Sequence, residues 1–288
     1  METVKDAYDQ FKAQLALLYH SQEADAMASV VLSDLTGYSK AKLKAFTDDT
    51  ISPEHQLQLH KILEELVTGK PIQYVLGHAH FYGLNFKVTP ATLIPRPETE
   101  ELVQWVLDTL SDVGQPTVLD VGTGSGCIPI TVKYQLPNSK VFAIDISSDA
   151  LTVAQDNAQT NGVDVTFVEA DVLNMQAEEI AKQCYQVVIS NPPYITETDK
   201  LQMHKNVTDF EPHTALFVPD TNPLLFYTAI TDFAATHLVK GGFLFFEINE
   251  SYGSATMDVM KQKGFINAEL RQDLMGKDRM IRAEWPGA

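Results

Sequence analysis

Four consecutive residues, Asn191-Pro192-Pro193-Tyr194, follow the apolar run Tyr185-Gln186-Val187-Val188-Ile189-Ser190. Their chemistry suits a planar nitrogen. The Asn191 side-chain oxygen and the Pro192 backbone carbonyl can accept both N–H bonds of an amide or ring amine, turning its delocalised lone pair toward an electrophile. Consecutive prolines fix the backbone, so the carbonyl is aimed before the ligand arrives. Tyr194 is expected to pack against the planar group. A methyl cation equivalent is the natural electrophile, and no His-carboxylate pair is needed, because a methylated cationic amide sheds its proton readily. The structural alternative is a rigid Asn-Pro turn leaving a strand.

A second constellation lies upstream. Val118-Leu119-Asp120-Val121-Gly122-Thr123-Gly124-Ser125-Gly126-Cys127 reads as a strand, a glycine-rich turn and a helix start, the outline of a nucleoside-cofactor site. A glycine loop that merely turns the chain is the plainer reading. Asp145, about 20 residues further on, ends the next strand where an acidic side chain accepts from ribose hydroxyls. Ser147 or Ser148 can cap the following helix and leave it free. Asp171 ends the third strand, suited to an adenine amine or to capping a short helix over 173–181. These features alone do not separate a dinucleotide from S-adenosylmethionine. The tetrapeptide favours the latter.

Elements at the right spacing must position these groups. To about residue 68 the pattern is helical, with Tyr8, Phe11, Leu15, Leu18 and Tyr19 on one stripe and Ala24, Met27, Ala28, Val31 and Leu35 on another. Ser52-Pro53 opens a further helix that ends at Gly69. Phe81 to Val88 reads as two short strands around a glycine turn. Helical and β-rich runs then alternate: helix 99–110, strand 117–121, helix 127–135, strand 140–145, helix 148–160, strand 165–169, a short helix and strand 185–190. Helix 223–238, strand 242–248, helix 252–262 and strands 265–270 and 278–284 complete the pattern. It predicts a seven-stranded, mostly parallel sheet whose last two strands pair antiparallel at one end.

Composition narrows the classes. The 288 residues suit two unequal domains, and 44% hydrophobic with 20% charged residues describes an ordinary folded protein. A net charge of −17 repels a phosphate backbone and favours a basic protein partner. Cys127 and Cys184 form no C-x-x-C pair and are expected to be small core residues of a protein in the reducing cytosol. There is no signal peptide pattern and no run of about 20 apolar residues, so a soluble, cytoplasmic protein without membrane contact is expected. His78 and His80 share a face, but no Cys or carboxylate cluster completes a metal site.

Together these residues resemble a known family, the methyltransferases called PrmC or HemK that modify the glutamine amide of the Gly-Gly-Gln motif in bacterial peptide chain release factors. The resemblance is carried by Gly69-Lys70-Pro71-Ile72-Gln73-Tyr74-Val75-Leu76-Gly77, Phe81-Tyr82-Gly83, Leu93-Ile94-Pro95-Arg96-Pro97-Glu98-Thr99-Glu100, Glu211-Pro212 with Ala215-Leu216, and Asp273-Leu274-Met275-Gly276-Lys277-Asp278-Arg279. It implies an α/β fold with a seven-stranded Rossmann-like methyltransferase sheet and a small N-terminal helical domain. The implied domains are a helical substrate-recognition domain over 1–75, a β-hairpin connector over 76–97, and an S-adenosylmethionine-dependent methyltransferase domain over 98–288.

By that resemblance Gly122, Thr123, Gly124, Ser125, Gly126, Asp145, Asp171, Val172 and Asn191 contact S-adenosylmethionine. Asn191, Pro192, Pro193 and Tyr194 hold the glutamine, with Arg96 and Glu98 flanking it or forming a structural ion pair. The implied partner is a release factor, and the implied state is a monomer with no direct nucleic-acid contact. Pro219, Pro223 and Asn249 depart from the family's usual glycines in loops near the substrate side. Rival readings are methylation of an exocyclic amine on adenine or cytosine, disfavoured by charge, and a noncatalytic S-adenosylmethionine-binding module, disfavoured by the intact Asn191.

Overall fold

The computed structural model describes residues 1–201, 203 and 205–287. They form two compact units, residues 1–77 with 205–210 and residues 78–204 with 211–288.

The first unit is helical. Thr3 opens helix Val4–Leu15 with a capping box, its hydroxyl accepting from the Asp6 N–H while the Asp6 carboxylate accepts from the Thr3 N–H. Ser52 caps helix Pro53–Leu66 with proline at the first position, and Gly37 at φ 68° ends helix Ser21–Thr36. Phe11, Leu15, Leu32, Leu59 and Leu66 are fully buried in one core. The expected stripe through Leu18 stops short: the first helix ends at Leu15, and Leu18 is 51% exposed in the turn that follows.

The second unit carries the sheet. Its strands are β1 (Thr117–Val121), β2 (Lys140–Asp145), β3 (Thr166–Glu169), β4 (Tyr185–Ser190), β5 (Leu238–Glu247), β6 (Ile266–Gln272) and β7 (Asp278–Glu284), in spatial order β6-β7-β5-β4-β1-β2-β3. The pairs from β5 to β3 are parallel, and β7 runs antiparallel to both neighbours, as the missing β6–β7 helix predicts. Strand β5 begins four residues before its expected start, with a register irregularity beside Gly241 and Gly242. A side chain on Gly242 would collide with the carbonyl of Val239 at 2.9 Å.

Both faces are covered, which is why the central strands read as continuous apolar runs rather than alternating ones. Val118, Val187, Ile189 and Phe245 point into a core shared with helices Pro97–Leu110 and Cys127–Gln135. Leu119, Val188, Leu244 and Phe246 point into a second core under helices Leu225–His237 and Gly253–Gln262. Cys127 is buried, but Cys184 is exposed, contrary to expectation, because it lies in the irregular segment just before β4.

The chain leaves β1 for β2 and β3 on one side, then returns to place β4 on the other. The crevice beyond the carboxyl ends of β1 and β4 is therefore the switch point where open α/β sheets bind ligands. A hairpin, His78–Phe81 with Leu84–Lys87, is fastened near it by Asn157: its side-chain oxygen accepts from the Lys87 N–H at 2.7 Å, and its nitrogen donates to the carbonyls of Lys87 (3.0 Å) and Ser125 (2.9 Å). The turn falls at Tyr82-Gly83 as the glycine predicts, while the first strand begins at His78, three residues before the expected segment, and the second ends at Lys87, one residue short of it. Among the described residues no helix is long and apolar enough to cross a membrane.

Candidate active site

A cavity of about 360 Å³ opens at the switch point. Gly122, Thr123, Gly124 and Ser125 line it after β1, Asp145 after β2, Asp171 and Val172 after β3, and Asn191, Pro192 and Pro193 after β4. The two constellations that the sequence singles out therefore share one chamber.

The glycine loop is folded onto the end of β2. The N–H groups of Gly122 and Thr123 donate to the Ile144 carbonyl at 2.9 and 3.0 Å. Gly122 and Gly124 take φ of 76° and 54°, a region closed to most side chains, and a Cβ on either would meet only open space. Gly126 is not among the residues that line the cavity. A Cβ there would sit 2.8 Å from Ile130 Cδ1 and 3.1 Å from Ala154 Cβ, so its absence permits close packing of two helices beneath the loop.

Asp145 is engaged more than the sequence reading allows. Oδ2 accepts from the Gly124 N–H at 2.8 Å and Oδ1 from the Ser147 N–H at 2.9 Å, while the Ser147 hydroxyl caps the next helix. Burial raises its pKa, opposed by these backbone donors. Each oxygen keeps a lone pair for a ligand hydroxyl. Asp171 lines the cavity and also caps the short helix Val172–Asn174, its carboxylate accepting from the Leu173 N–H at 2.8 Å. Both readings of that residue are compatible.

Asp120 carries no weight in the sequence reading, though its acidic type two positions before the first glycine was a signal. It is fully buried under the loop, and burial pushes its pKa up to about 7. Neither carboxylate oxygen nor the Thr123 hydroxyl makes a hydrogen bond of ordinary geometry, although the hydroxyl lies close enough to moderate the shift. An acceptor with no donor beneath a cavity wall fits a ligand that brings positive charge.

One prediction follows from linkage. The folded value lies above the ordinary 3.8, so stability falls as pH rises from about 3.8 to about 7, by up to about 4 kcal/mol in total. Asp120→Asn is expected to raise the melting temperature of the ligand-free protein at pH 8 much more than at pH 5. Thermal melts at the two pH values check this; equal gains would show that the carboxyl ionises as it does in solvent.

The tetrapeptide is held by residues far away in sequence. Asn191 Nδ2 donates to Thr99 Oγ1 at 3.3 Å, and the Thr99 hydroxyl donates to Glu247 Oε2 at 2.6 Å. The Tyr194 hydroxyl donates to Glu247 Oε1 at 3.2 Å. Glu247, at the end of β5, is 2% exposed; burial raises its pKa, opposed by Thr99, Arg279 and Tyr194. The ring of Tyr194 packs against the second core and is not among the residues that line the cavity. The buried carboxylate draws its hydroxyl inward.

Arg96 lines the cavity, but its partner is Glu211, whose carboxylate accepts from Arg96 at 2.5 Å and from the Ile94 N–H at 3.2 Å. Glu98 forms no ion pair with it and does not line the chamber. Asn249, one of the departures, donates to the Tyr194 carbonyl and to Asp199, both at 3.4 Å, bonds that a glycine cannot make. The turn at Pro219 is closed by the Asn222 N–H, and Asp220 accepts from the N–H and hydroxyl of Thr198. Cys127 lines the chamber as a thiol that burial pushes up to about 12, which rules it out as a thiolate nucleophile.

Comparison with known proteins agrees with this geometry. Residues 100–209 match the family described as Methyltransferase small domain, and residues 6–77 match the PrmC N-terminal domain. A release factor glutamine methyltransferase of Flavobacterium psychrophilum is 41% identical over 285 residues, covering 98% of this chain and 99% of its own length. One from Bacteroides thetaiotaomicron is 40% identical, covering 92% and 94%. Among solved structures, a methyltransferase from Pyrococcus furiosus shares the fold with a TM-score of 0.53 at 16% identity, covering 82% of this chain and all of that one. With two such relatives spanning nearly its whole length, this chain belongs to the release factor glutamine methyltransferase family.

Proposed function

We propose that this protein transfers a methyl group from S-adenosylmethionine to the side-chain amide nitrogen of the glutamine in the Gly-Gly-Gln motif of peptide chain release factors. The observation that carries the reading is the shared chamber, in which a glycine loop with its carboxylates faces an Asn-Pro pair whose amide nitrogen donates to Thr99. The relatives' names give the substrate class.

When bound, S-adenosylmethionine supplies an electrophilic methyl on a sulfonium, which the amide nitrogen takes up as the sulfur keeps the bonding pair. The chain's own residues supply binding and aim. Gly122 to Ser125 give backbone room, Asp145 gives acceptors for ribose hydroxyls, and Asp171 and Val172 flank the base. Asn191 Oδ1 and the Pro192 carbonyl accept the two amide N–H bonds, which localises the nitrogen lone pair and points it across the chamber. The helical unit over 1–77 grips the release factor beyond its glutamine loop. A chain of charge −17 meets a basic partner with favourable steering. We read the protein as a cytoplasmic monomer acting on free release factor.

The test is incubation with methyl-labelled S-adenosylmethionine and an unmodified release factor, followed by mass spectrometry of the Gly-Gly-Gln peptide. Label on that glutamine is expected. An unlabelled glutamine with label on adenine or cytosine of added nucleic acid would move the assignment to the rival amine chemistry.

A further inference from the structure

An asparagine side chain has two ends of nearly equal size and opposite hydrogen-bonding character. Only one of its two orientations serves the proposed reaction. With Oδ1 toward the chamber it accepts from the target amide; with Nδ2 toward the chamber, two donors face two donors. Something must choose between them. We infer that Thr99 and Glu247 are positioning residues that fix the polarity of Asn191, so that its oxygen faces the substrate nitrogen; this rests on the functional reading above.

The direction is set at the far end of the chain of bonds. Both oxygens of the Glu247 carboxyl accept a hydroxyl, from Thr99 and from Tyr194, and an oxygen that only accepts gives no proton back. Glu247 Oε2 therefore takes the Thr99 hydroxyl proton, at 2.6 Å, and leaves Oγ1 only lone pairs to offer Asn191. Nδ2 answers them at 3.3 Å, and Oδ1 is turned the other way. The second carboxylate oxygen takes the Tyr194 hydroxyl at 3.2 Å, so both ends of the tetrapeptide answer to one buried charge. Three elements meet here: the first turn of helix Pro97–Leu110, the end of β5, and the segment after β4. Arg279 lies close enough to favour the ionised form of Glu247, and Glu98 opposes it. Arg279 is itself tied to Asp273 at 3.0 Å and to the Ile248 carbonyl at 3.4 Å.

The test is steady-state kinetics on a release factor, with cofactor affinity measured separately by calorimetry. Thr99→Val keeps the side-chain shape and removes the hydroxyl. It is expected to lower kcat by about 10- to 100-fold, as loss of an outer partner commonly does, with cofactor Kd changed by less than about threefold. Thr99→Ser is expected to restore kcat to within about threefold of the native value. In an Asn191→Ala background Thr99→Val is expected to have no further effect, because the side chain it orients is gone. Should Thr99→Val not fold, Glu247→Gln carries the same test, since an amide can donate to Thr99 and reverse the chain of bonds.

Native-like kcat in Thr99→Val, or an undiminished effect of that change in the Asn191→Ala background, would overturn the inference while leaving the functional reading intact. A native chain that leaves the release factor unmethylated would overturn both.

Discussion

Replacing Asn191 with alanine is expected to lower kcat for methyl transfer to a release-factor glutamine by about 100- to 1000-fold, the scale of losing one preorganised polar group at a reacting centre. Cofactor affinity is expected to stay within about threefold of native, because Asn191 touches the chamber at the substrate end and the glycine loop is held by other bonds. The asymmetry follows from what each group does. An amide nitrogen is a poor nucleophile while its lone pair is delocalised, and two acceptors on its N–H bonds oppose that delocalisation as the bond forms. Removing Oδ1 leaves the Pro192 carbonyl alone, so the target amide can rotate out of line. Single-turnover rates with saturating cofactor, set beside calorimetric Kd values, check the claim. Full turnover in the variant would refute the role of the side chain.

The same residue shows where a sequence is informative. Asn191-Pro192-Pro193-Tyr194 and Gly122 to Gly126 are contiguous, and their chemistry is local, so residue type and order suffice to locate them. The alternation of helices and strands then brings both to one sheet edge, as found. Thr99 and Glu247 were not legible in the same way. They lie 148 positions apart, and each is an ordinary polar residue until the helix and β5 set them side by side. The tie of Tyr194 to Glu247 was hidden for the same reason: an aromatic beside a binding motif suggests stacking, and nothing near it in sequence points to the buried carboxylate from β5 that accepts its hydroxyl. Arg96 found Glu211, 115 positions away, rather than its near neighbour Glu98. Leu18 fits the helical period, yet the helix ends first.

The glycine loop supports the second large effect, Asp145→Asn. The substitution changes almost no volume and removes one acceptor. Asp145 uses both oxygens on backbone donors, Oδ2 for Gly124 at 2.8 Å and Oδ1 for Ser147 at 2.9 Å. An asparagine can satisfy one of them; whichever way it turns, its NH2 opposes the other N–H. Helix Ser148–Thr160 keeps its cap through the Ser147 hydroxyl, so the start of that helix tolerates the loss. Gly124 has no such second support, and the loop at the cofactor end loosens. A hydrogen bond to a charged group is worth about 1.5–3 kcal/mol, so cofactor Kd is expected to rise by roughly 10- to 100-fold. At saturating cofactor, kcat is expected to return to within a few-fold of native, since the methyl-accepting half is untouched. Titration calorimetry with S-adenosylmethionine, followed by kinetics over a wide cofactor range, reads both quantities. An unchanged Kd would show that Asp145 only completes the fold of the loop. A fall in kcat that saturation cannot repair would show that the loop also aims the methyl group, and the division of labour between the ends of β2 and β4 would have to be redrawn.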